Sequence, residues 1–324
     1  MADREYPALP ESLKLRASVL AEIRRFFAER EVMEVETPLL GTSTVTDVHL
    51  QSFEVRPHDI SEPLLFLQTS PEYAMKRLLA AGSGPIYQIA KAFRSGERSR
   101  LHNPEFTLIE WYRPGFSLTD LMDEVEQFIT RLLCRKKMPR YTYGELFRKN
   151  LNLDPYTITL QELHQCSDEL IDVRGADLDT TDYLQLLMEQ KIEPRLPDCC
   201  FVIEYPKAQA SLSAVAPNAE GVPVAQRFEL YVDGMELANG YFELTDAVEQ
   251  RSRFEGDLAR RRQLGLPTVP VDEELLAAME AGLPSCAGVA LGLDPLIDGA
   301  WSKPGYLRCN QLPAGLSIQL ARFL

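Results

Sequence analysis

The sequence predicts an α+β fold in one compact domain, and three observations carry that expectation. Segments of helical periodicity alternate with short apolar runs of strand length. An Asp233-Gly234 step joins two strand-like runs, as in a tight hairpin. The 324 residues are 45% hydrophobic and 25% charged, an ordinary globular composition. The 34 basic and 48 acidic side chains leave a formal charge of −14, which speaks against a surface dominated by nucleic-acid binding. The longest apolar stretches, such as residues 288–293, fall far short of the roughly 20 residues a bilayer span needs. The charged start Met1-Ala2-Asp3-Arg4-Glu5 has no apolar core behind it, so no secretory signal and no membrane association are expected, and the expected location is cytoplasmic.

Taken in order, the first element is a helix over residues 11–31, where Leu15, Val19, Leu20, Ile23, Phe26 and Phe27 recur at three- and four-residue intervals. Residues 34–38 form an extended run closed by Pro38, which cannot continue a central ladder. Strands are expected at 64–68 and 85–92, with a helix over 71–81 between them. A helix over 119–134 carries Leu121, Val125, Phe128, Ile129, Leu132 and Leu133 on one face, with Thr119 as its N-cap. Residues 136–200 read as an acidic helical insertion within a domain of residues 1–294. Strands return at 201–205 and 227–232, and Asp233-Gly234 turns the chain into a strand at 235–238. Helices over 243–264 and 272–281 precede the glycine-punctuated run 288–294. The six cysteines include no C-x-x-C pair and the four histidines are dispersed, so buried free thiols and no zinc site are expected.

The densest chemistry lies in residues 93–112. Arg94 at a strand end can pair bidentately with a phosphate or carboxylate. On the return strand, Glu110 and Tyr112 share one face, opposite Thr107, Ile109 and Trp111. A solvated hairpin with surface ion pairs is the alternative for this segment. A second constellation runs from Glu236 to Leu244. Glu236 and Glu243 lie seven apart and face opposite ways in an unbroken strand, unless Asn239-Gly240 supplies a bulge. Two carboxylates beside an arginine suggest Mg²⁺ held against phosphates, or recognition of an ammonium; a charged strand edge is the alternative.

In this order the segments resemble a known family. The helix ending at Pro38 resembles motif 1 of the class II aminoacyl-tRNA synthetases, Phe93-Arg94 through Glu105-Phe106 resembles motif 2, and residues 288–294 resemble the start of motif 3. Thr69-Ser70-Pro71-Glu72-Tyr73, His102-Asn103-Pro104-Glu105-Phe106-Thr107 and Glu236-Leu237-Ala238-Asn239-Gly240 are similar to the lysyl branch. The motif 1 helix starts at about residue 11, so the OB-fold anticodon-binding domain of lysyl-tRNA synthetases is not expected. That start, the acidity, and the passage from His102 into Glu110-Trp111-Tyr112-Arg113-Pro114 resemble the family that ligates (R)-β-lysine to a lysine of elongation factor P. Ala290 stands where lysyl-tRNA synthetases usually have Gly, and its methyl group would reshape the pocket toward a β-amino acid.

The resemblance implies an antiparallel sheet flanked by helices, a homodimer, and a two-step reaction with ATP and Mg²⁺. (R)-β-lysine or lysine is activated as the adenylate and passed to a lysine of elongation factor P. By motif match, Arg94 bridges the substrate carboxylate and the α-phosphate, with Ser95, Gly96, Glu97 and Asn103 around the nucleotide. Glu236 holds Mg²⁺ and ATP beside Leu237, and Gly292 lets the nucleotide approach the backbone. Glu243 and Tyr112 read the distal ammonium, Ser70 and Glu72 hold the other amino end, and Glu110, Asn239 and Ala290 complete the amino-acid pocket. The alternatives are a lysyl-tRNA synthetase-like enzyme acting on tRNA and a non-catalytic paralogue that binds and regulates.

Two positions depart from the family. Motif 2 commonly reads Arg-x-Glu, whereas here Gly96 stands third and Glu97 fourth. Motif 3 expects an arginine after Gly-x-Asp, and this chain has Pro295. Back-translation of residues 294–301 allows the deletion of one C to restore Asp-Arg-Leu-Leu-Met-Val-Leu, the expected continuation. Residues 295–324 are therefore expected to be an aberrant tail produced by a one-base insertion.

Overall fold

A computed structural model describes residues 9–59, 61–97, 103–133, 137–170 and 178–302. The tail from 303 onward and His102 lie outside the described residues. The first helix, α1 (Leu9–Ala28), turns its expected stripe inward, with Leu15, Val19, Ile23, Phe26 and Phe27 buried. Of the extended run after it, only β1 (Met33–Glu34) pairs, parallel to β5 (Ile86–Phe93). The intervening chain forms a small separate sheet from β2 (Leu40–Gly41), β3 (Glu54–Val55) and β4 (Leu65–Leu67), then α2 (Glu72–Ala80). β6 (Glu105–Pro114) returns antiparallel to β5 and leads into α3 (Leu118–Leu133). The N-cap of α3 is Ser117 rather than Thr119: its Oγ accepts from Asp120 N at 3.2 Å while its own N donates to Asp120 Oδ2. Thr119 lies one residue inside the helix, past the position where a side chain can reach the free amides.

Residues 137–196 supply β7 (Arg140–Thr142), α4 (Tyr143–Leu151), α5 (Leu160–Leu170) and α6 (Thr180–Leu187). β7 lies parallel to β8 (Cys199–Pro206), and Tyr143, Phe147, Leu184 and Ile192 form a core of their own against Val202 and Tyr231. β9 (Val215–Pro217), β10 (Pro223–Val232) and β11 (Met235–Phe242) follow. The turn between β10 and β11 has Asp233 and Gly234 both at positive φ, 52° and 77°, the left-handed pair that suits the twist of a two-residue hairpin.

The next helix, α7 (Ala247–Gln263), starts four residues later than its charge pattern predicts. Asp246 accepts from Val248 N and Glu249 N and caps it there, so Glu243 stays extended in a bridge opposite Ser213. α8 (Glu273–Gly282), capped by Asp272, β12 (Cys286–Gly292) and α9 (Leu293–Ser302) complete the described chain.

The main sheet runs β1-β5-β6-β12-β11-β10-β8-β7, with β9 beside β10, and is antiparallel except at its two outer pairs, β1–β5 and β7–β8. One face packs on α1 and α3 through Trp111, Ile109, Val289, Leu291, Phe228 and Leu230. On the other face α2, α7 and α8 pack over one end of the sheet, around Met75, Ile86, Tyr112, Phe254 and Cys286. The open remainder of that second face carries the polar residues described next.

Candidate active site

The site grows from strand alternation. On β6, Glu110 and Tyr112 point away from the core that holds Ile109 and Trp111, and Tyr112 Oη donates to Glu110 Oε1 at 2.7 Å. In register, β12 sets Gly288 opposite Tyr112 and Ala290 opposite Glu110, while β11 sets Tyr241 opposite Gly288 and Asn239 opposite Ala290. Gly288 admits no side chain: a Cβ there would stand 2.3 Å from the Tyr112 ring and 2.6 Å from Glu243 Oε1. Gly292 lies opposite Leu108, and the Pro295 ring covers it at 3.2 Å from where a Cβ would be.

Glu236 reaches the same face through a bulge, but not at Asn239-Gly240. Leu230 pairs with Ala238 and Tyr231 with Glu236, which leaves Leu237 as the extra residue. Asn239 and Gly240 are regular ladder positions, and Gly240 is needed because a Cβ would stand 2.3 Å from the Phe228 ring. A bulge shifts side-chain parity by one, so Glu236, Asn239, Tyr241 and Glu243 come to share the polar face. Around them Arg227 donates from Nε to Asn239 Oδ1 at 3.2 Å and pairs with Glu229, whose Oε2 also accepts from Tyr231 at 2.6 Å and from Tyr205. Desolvation in the cleft and then the charge of Glu229 push the Glu236 carboxyl up, while Arg227 and Arg94 pull it back. The Glu236 side chain keeps solvent access, so water screens the upward push.

Arg94 follows β5 directly. Its N donates to Pro104 O at 2.8 Å, closing the two ends of the loop, and its Nε donates to Thr69 O at 3.3 Å. The guanidinium lies 5.0 Å from the Phe106 ring centroid and 3.8 Å from Glu97. Ser95 N donates to Gln51 O at 2.6 Å, Gly96 takes φ 87°, and Asn103 is exposed at the foot of β6. Ser70 Oγ accepts from Glu72 N at 3.3 Å at the start of α2.

Three carboxylates gather at the α2 end of this face. Glu110 and Glu243 are each 2% exposed, and Glu72 reaches them from α2. Burial pushes Glu110 up to about 8, with Glu72 adding to the shift and the Tyr112 hydroxyl and Lys76 opposing it. Burial likewise raises Glu243, against the pull of Lys76. Glu110 Oε2 is buried without a hydrogen-bond partner. Buried acceptors of this kind are costly unless a donor arrives, so the pocket can accept a cationic donor. Lys76, Arg227 and Gly288 were not legible as site residues; the Glu72–Lys76 spacing of four on one helix face was the available signal for the first.

Among the described residues, no group of three or more His, Cys, Asp or Glu is arranged to hold a metal ion, and no helix is long and apolar enough to cross a membrane. Cys200 and Cys286 are buried free thiols, and Cys199 is buried.

An antiparallel sheet with an arginine at the end of one strand, a carboxylate on the facing hairpin and a carboxylate-lined pocket belongs to a defined class. The chain belongs to the class II tRNA synthetases (D, K and N), matched over residues 2–300. Within it, the chain is 49% identical over 299 residues to the elongation factor P–(R)-β-lysine ligase of Pseudoalteromonas translucida, covering 90% of this chain and 92% of that protein. It is 46% identical to the ligase of that name from Klebsiella pneumoniae, over 89% and 90% of the two chains. The ligase of that name from Salmonella paratyphi B is 45% identical, over 90% of each.

Proposed function

We propose that this chain is an ATP-dependent ligase that activates (R)-β-lysine, or lysine, as its adenylate and transfers it to a lysine side chain of elongation factor P. The observation that carries the reading is the cluster of buried Glu110 and Glu243 with half-buried Glu72, and an acceptor oxygen of Glu110 left open. A substrate ammonium can leave water only where carboxylates replace its hydration. The names of the relatives supply the acceptor and the β-amino acid.

In the first step the substrate carboxylate attacks the α-phosphate of ATP and pyrophosphate leaves. In the second, the ε-amine of the acceptor lysine attacks the adenylate carbonyl and AMP leaves. Arg94, anchored through Thr69 and Pro104, neutralises the charge on the carboxylate and α-phosphate as they meet. Glu72, Ser70, Glu110, Tyr112 and Glu243 fix the amino groups, so the reacting carboxylate approaches in one orientation. Ala290, between Glu110 and Asn239 in register, narrows the pocket floor by one methyl group, which favours a β-amino acid. Ser95, Gly96, Glu97, Asn103, Leu237 and Gly292 border the nucleotide.

Class II synthetase-like ligases in general use ATP and Mg²⁺. The residues present fit the ion: Glu229 is occupied by Arg227, Tyr205 and Tyr231, while Glu236 keeps solvent access. One carboxylate plus nucleotide phosphates is a usual Mg²⁺ set, and the ion would offset phosphate charge. A homodimer through α1 and β1 is supported by the exposed Leu13, Met33, Leu39 and Leu40. The acidity supports an enzyme that holds neither tRNA nor DNA stably, and the charged start without an apolar core supports a cytoplasmic location.

We read the domain as residues 1–294 with 136–200 inserted, and residues 295–324 as the product of a one-base insertion. Codons 294–301 decide that point: a gene sequence unable to yield arginine in the shifted frame contradicts it. Pro295 favours a second reading, a non-catalytic paralogue that binds the amino acid and regulates, because a lost charge-assisted phosphate contact costs about 1.5–3 kcal/mol. Exchange of labelled pyrophosphate into ATP separates the two. The ligase reading expects exchange that depends on (R)-β-lysine more than on lysine, and transfer to elongation factor P but not to tRNA. Binding without exchange, in the chain as written and in one with arginine restored at 295, supports the paralogue.

A further inference from the structure

The amino-acid pocket contains a cation of its own. Lys76 lies one turn after Glu72 on α2, is 2% exposed, and sets its Nζ 2.7 Å from Glu72 Oε1 and 2.6 Å from Glu243 Oε2. The Nζ thus forms an ion pair with each carboxylate. Lysines are almost never fully buried without a partner, and the roles proposed above make no use of this one.

We propose that Lys76 is a positioning and specificity-determining residue: a resident counter-ion that clamps Glu72 and Glu243 and leaves the pocket with charge for two further ammonium groups. This rests on the reading that the pocket takes the amino-acid substrate.

The charge count carries the specificity. Ionised Glu72, Glu110 and Glu243 bear three negative charges and Lys76 returns one, so a diamino acid balances the remainder and a monoamino acid leaves a buried carboxylate uncompensated. The clamp also carries position. Glu72 stands on α2 and Glu243 just beyond β11, with no backbone pairing between those two elements, and the ammonium ties them at fixed separation.

The groups facing the clamp come from several elements. β6 brings Glu110 and Tyr112, and β12 brings Cys286, whose thiol burial pushes up to about 12, with Glu243 adding and Lys76 opposing. From β11, Tyr241 feels the charge of Glu72. Burial alone would pull the Lys76 ammonium down, but Glu243 and Glu72 outweigh it and the net shift is upward. Lys76 therefore stays charged at working pH and is not itself a nucleophile for the adenylate. Its charge pulls both Glu110 and Glu243 toward the ionised form.

The test compares the unaltered chain with Lys76→Met and Lys76→Arg in two ways. Carbon-13 titration of the glutamate carboxyls without ligand is expected to show the Glu110 and Glu243 midpoints rising by about one pH unit or more in Lys76→Met, and little change in Lys76→Arg. Calorimetry at pH 7 is expected to show at least a tenfold loss of (R)-β-lysine affinity in Lys76→Met, with part regained at pH 8.5, and ATP affinity within twofold. Unmoved titrations overturn the counter-ion. Equal losses of ATP and diamino-acid affinity mark a merely structural lysine and overturn it too. An unaltered chain that binds ATP but no diamino acid overturns the pocket reading and the specificity with it, whatever the titration gives.

Discussion

Gly288 has no room for a methyl group: the sites a Cβ would meet are a buried tyrosine ring and the Glu243 carboxylate, both held in place. Gly288→Ala is expected to cost about 1–3 kcal/mol through overpacking, read as a lowered midpoint of thermal unfolding, and to weaken diamino-acid binding more than ATP binding. The empty pocket also holds a proton. Burial keeps Glu110 protonated up to about pH 8, and an arriving ammonium lowers that value. Binding at pH 7 is therefore expected to release a proton, and the release fades once the pH exceeds the raised value and Glu110 is already ionised. Calorimetry in two buffers of different ionisation enthalpy measures it; no buffer dependence at pH 7 would contradict the buried acid. The shared face of Glu110 and Tyr112 was legible because strand parity is exact over two residues. Lys76 was not, because a lysine four after a glutamate on an amphipathic helix reads as a solvated pair until the partner strands are in view.

At the scale of elements, α2 carries Glu72 and Lys76 and packs on α8 through Met75, Leu79, Leu275, Leu276 and Met279, with Arg77 pairing to Asp272 and Glu274 at the edge. Asp272 accepts from Leu275 N to cap α8 and also pairs with Arg77 of α2 at 3.2 Å. Asp272→Ala is expected to cost about 1 kcal/mol, the usual worth of such a cap, seen in chemical denaturation as a shifted midpoint with an unchanged slope. Outside residues 136–200, the types of most of the longer helices and strands were legible from periodicity, whereas the short strands β2, β3 and β9 were not. The start of α7 was not, because Glu243 fits the charged helix pattern but is taken by the pocket, and the Asp246 cap begins the helix beyond it. The bulge was foreseen as a need and misplaced, since Asn-Gly is the usual signal for irregular backbone, whereas here the irregularity fell on Leu237 and Gly240 served only the Phe228 ring.

At the scale of the whole molecule, the sheet assembles segments far apart in sequence: Arg94, Glu110, Glu236 and Glu243 meet because β5, β6, β12 and β11 are neighbours. The family resemblance implied an antiparallel sheet but not this order, for no local pattern in the chain encodes which strands pair. The exposed Met33 and Leu40 make the proposed homodimer testable: the unaltered chain is expected to sediment as a dimer and Met33→Glu with Leu40→Glu as a monomer, and a monomeric unaltered chain or an unchanged dimer in the variant would contradict the proposed contact. Residues 136–200 were opaque because their short, acidic helices pack on a core of their own, with Tyr143 and Phe147 at its centre.

The central claim, that buried carboxylates take a diamino acid, meets its most direct test in calorimetric titration of (R)-β-lysine into the unaltered chain and into Glu243→Gln. Saturable binding to one site per chain is predicted, weakened in the variant by about 3 kcal/mol, roughly a hundredfold. No binding to the unaltered chain, or equal affinity in the two proteins, would contradict it.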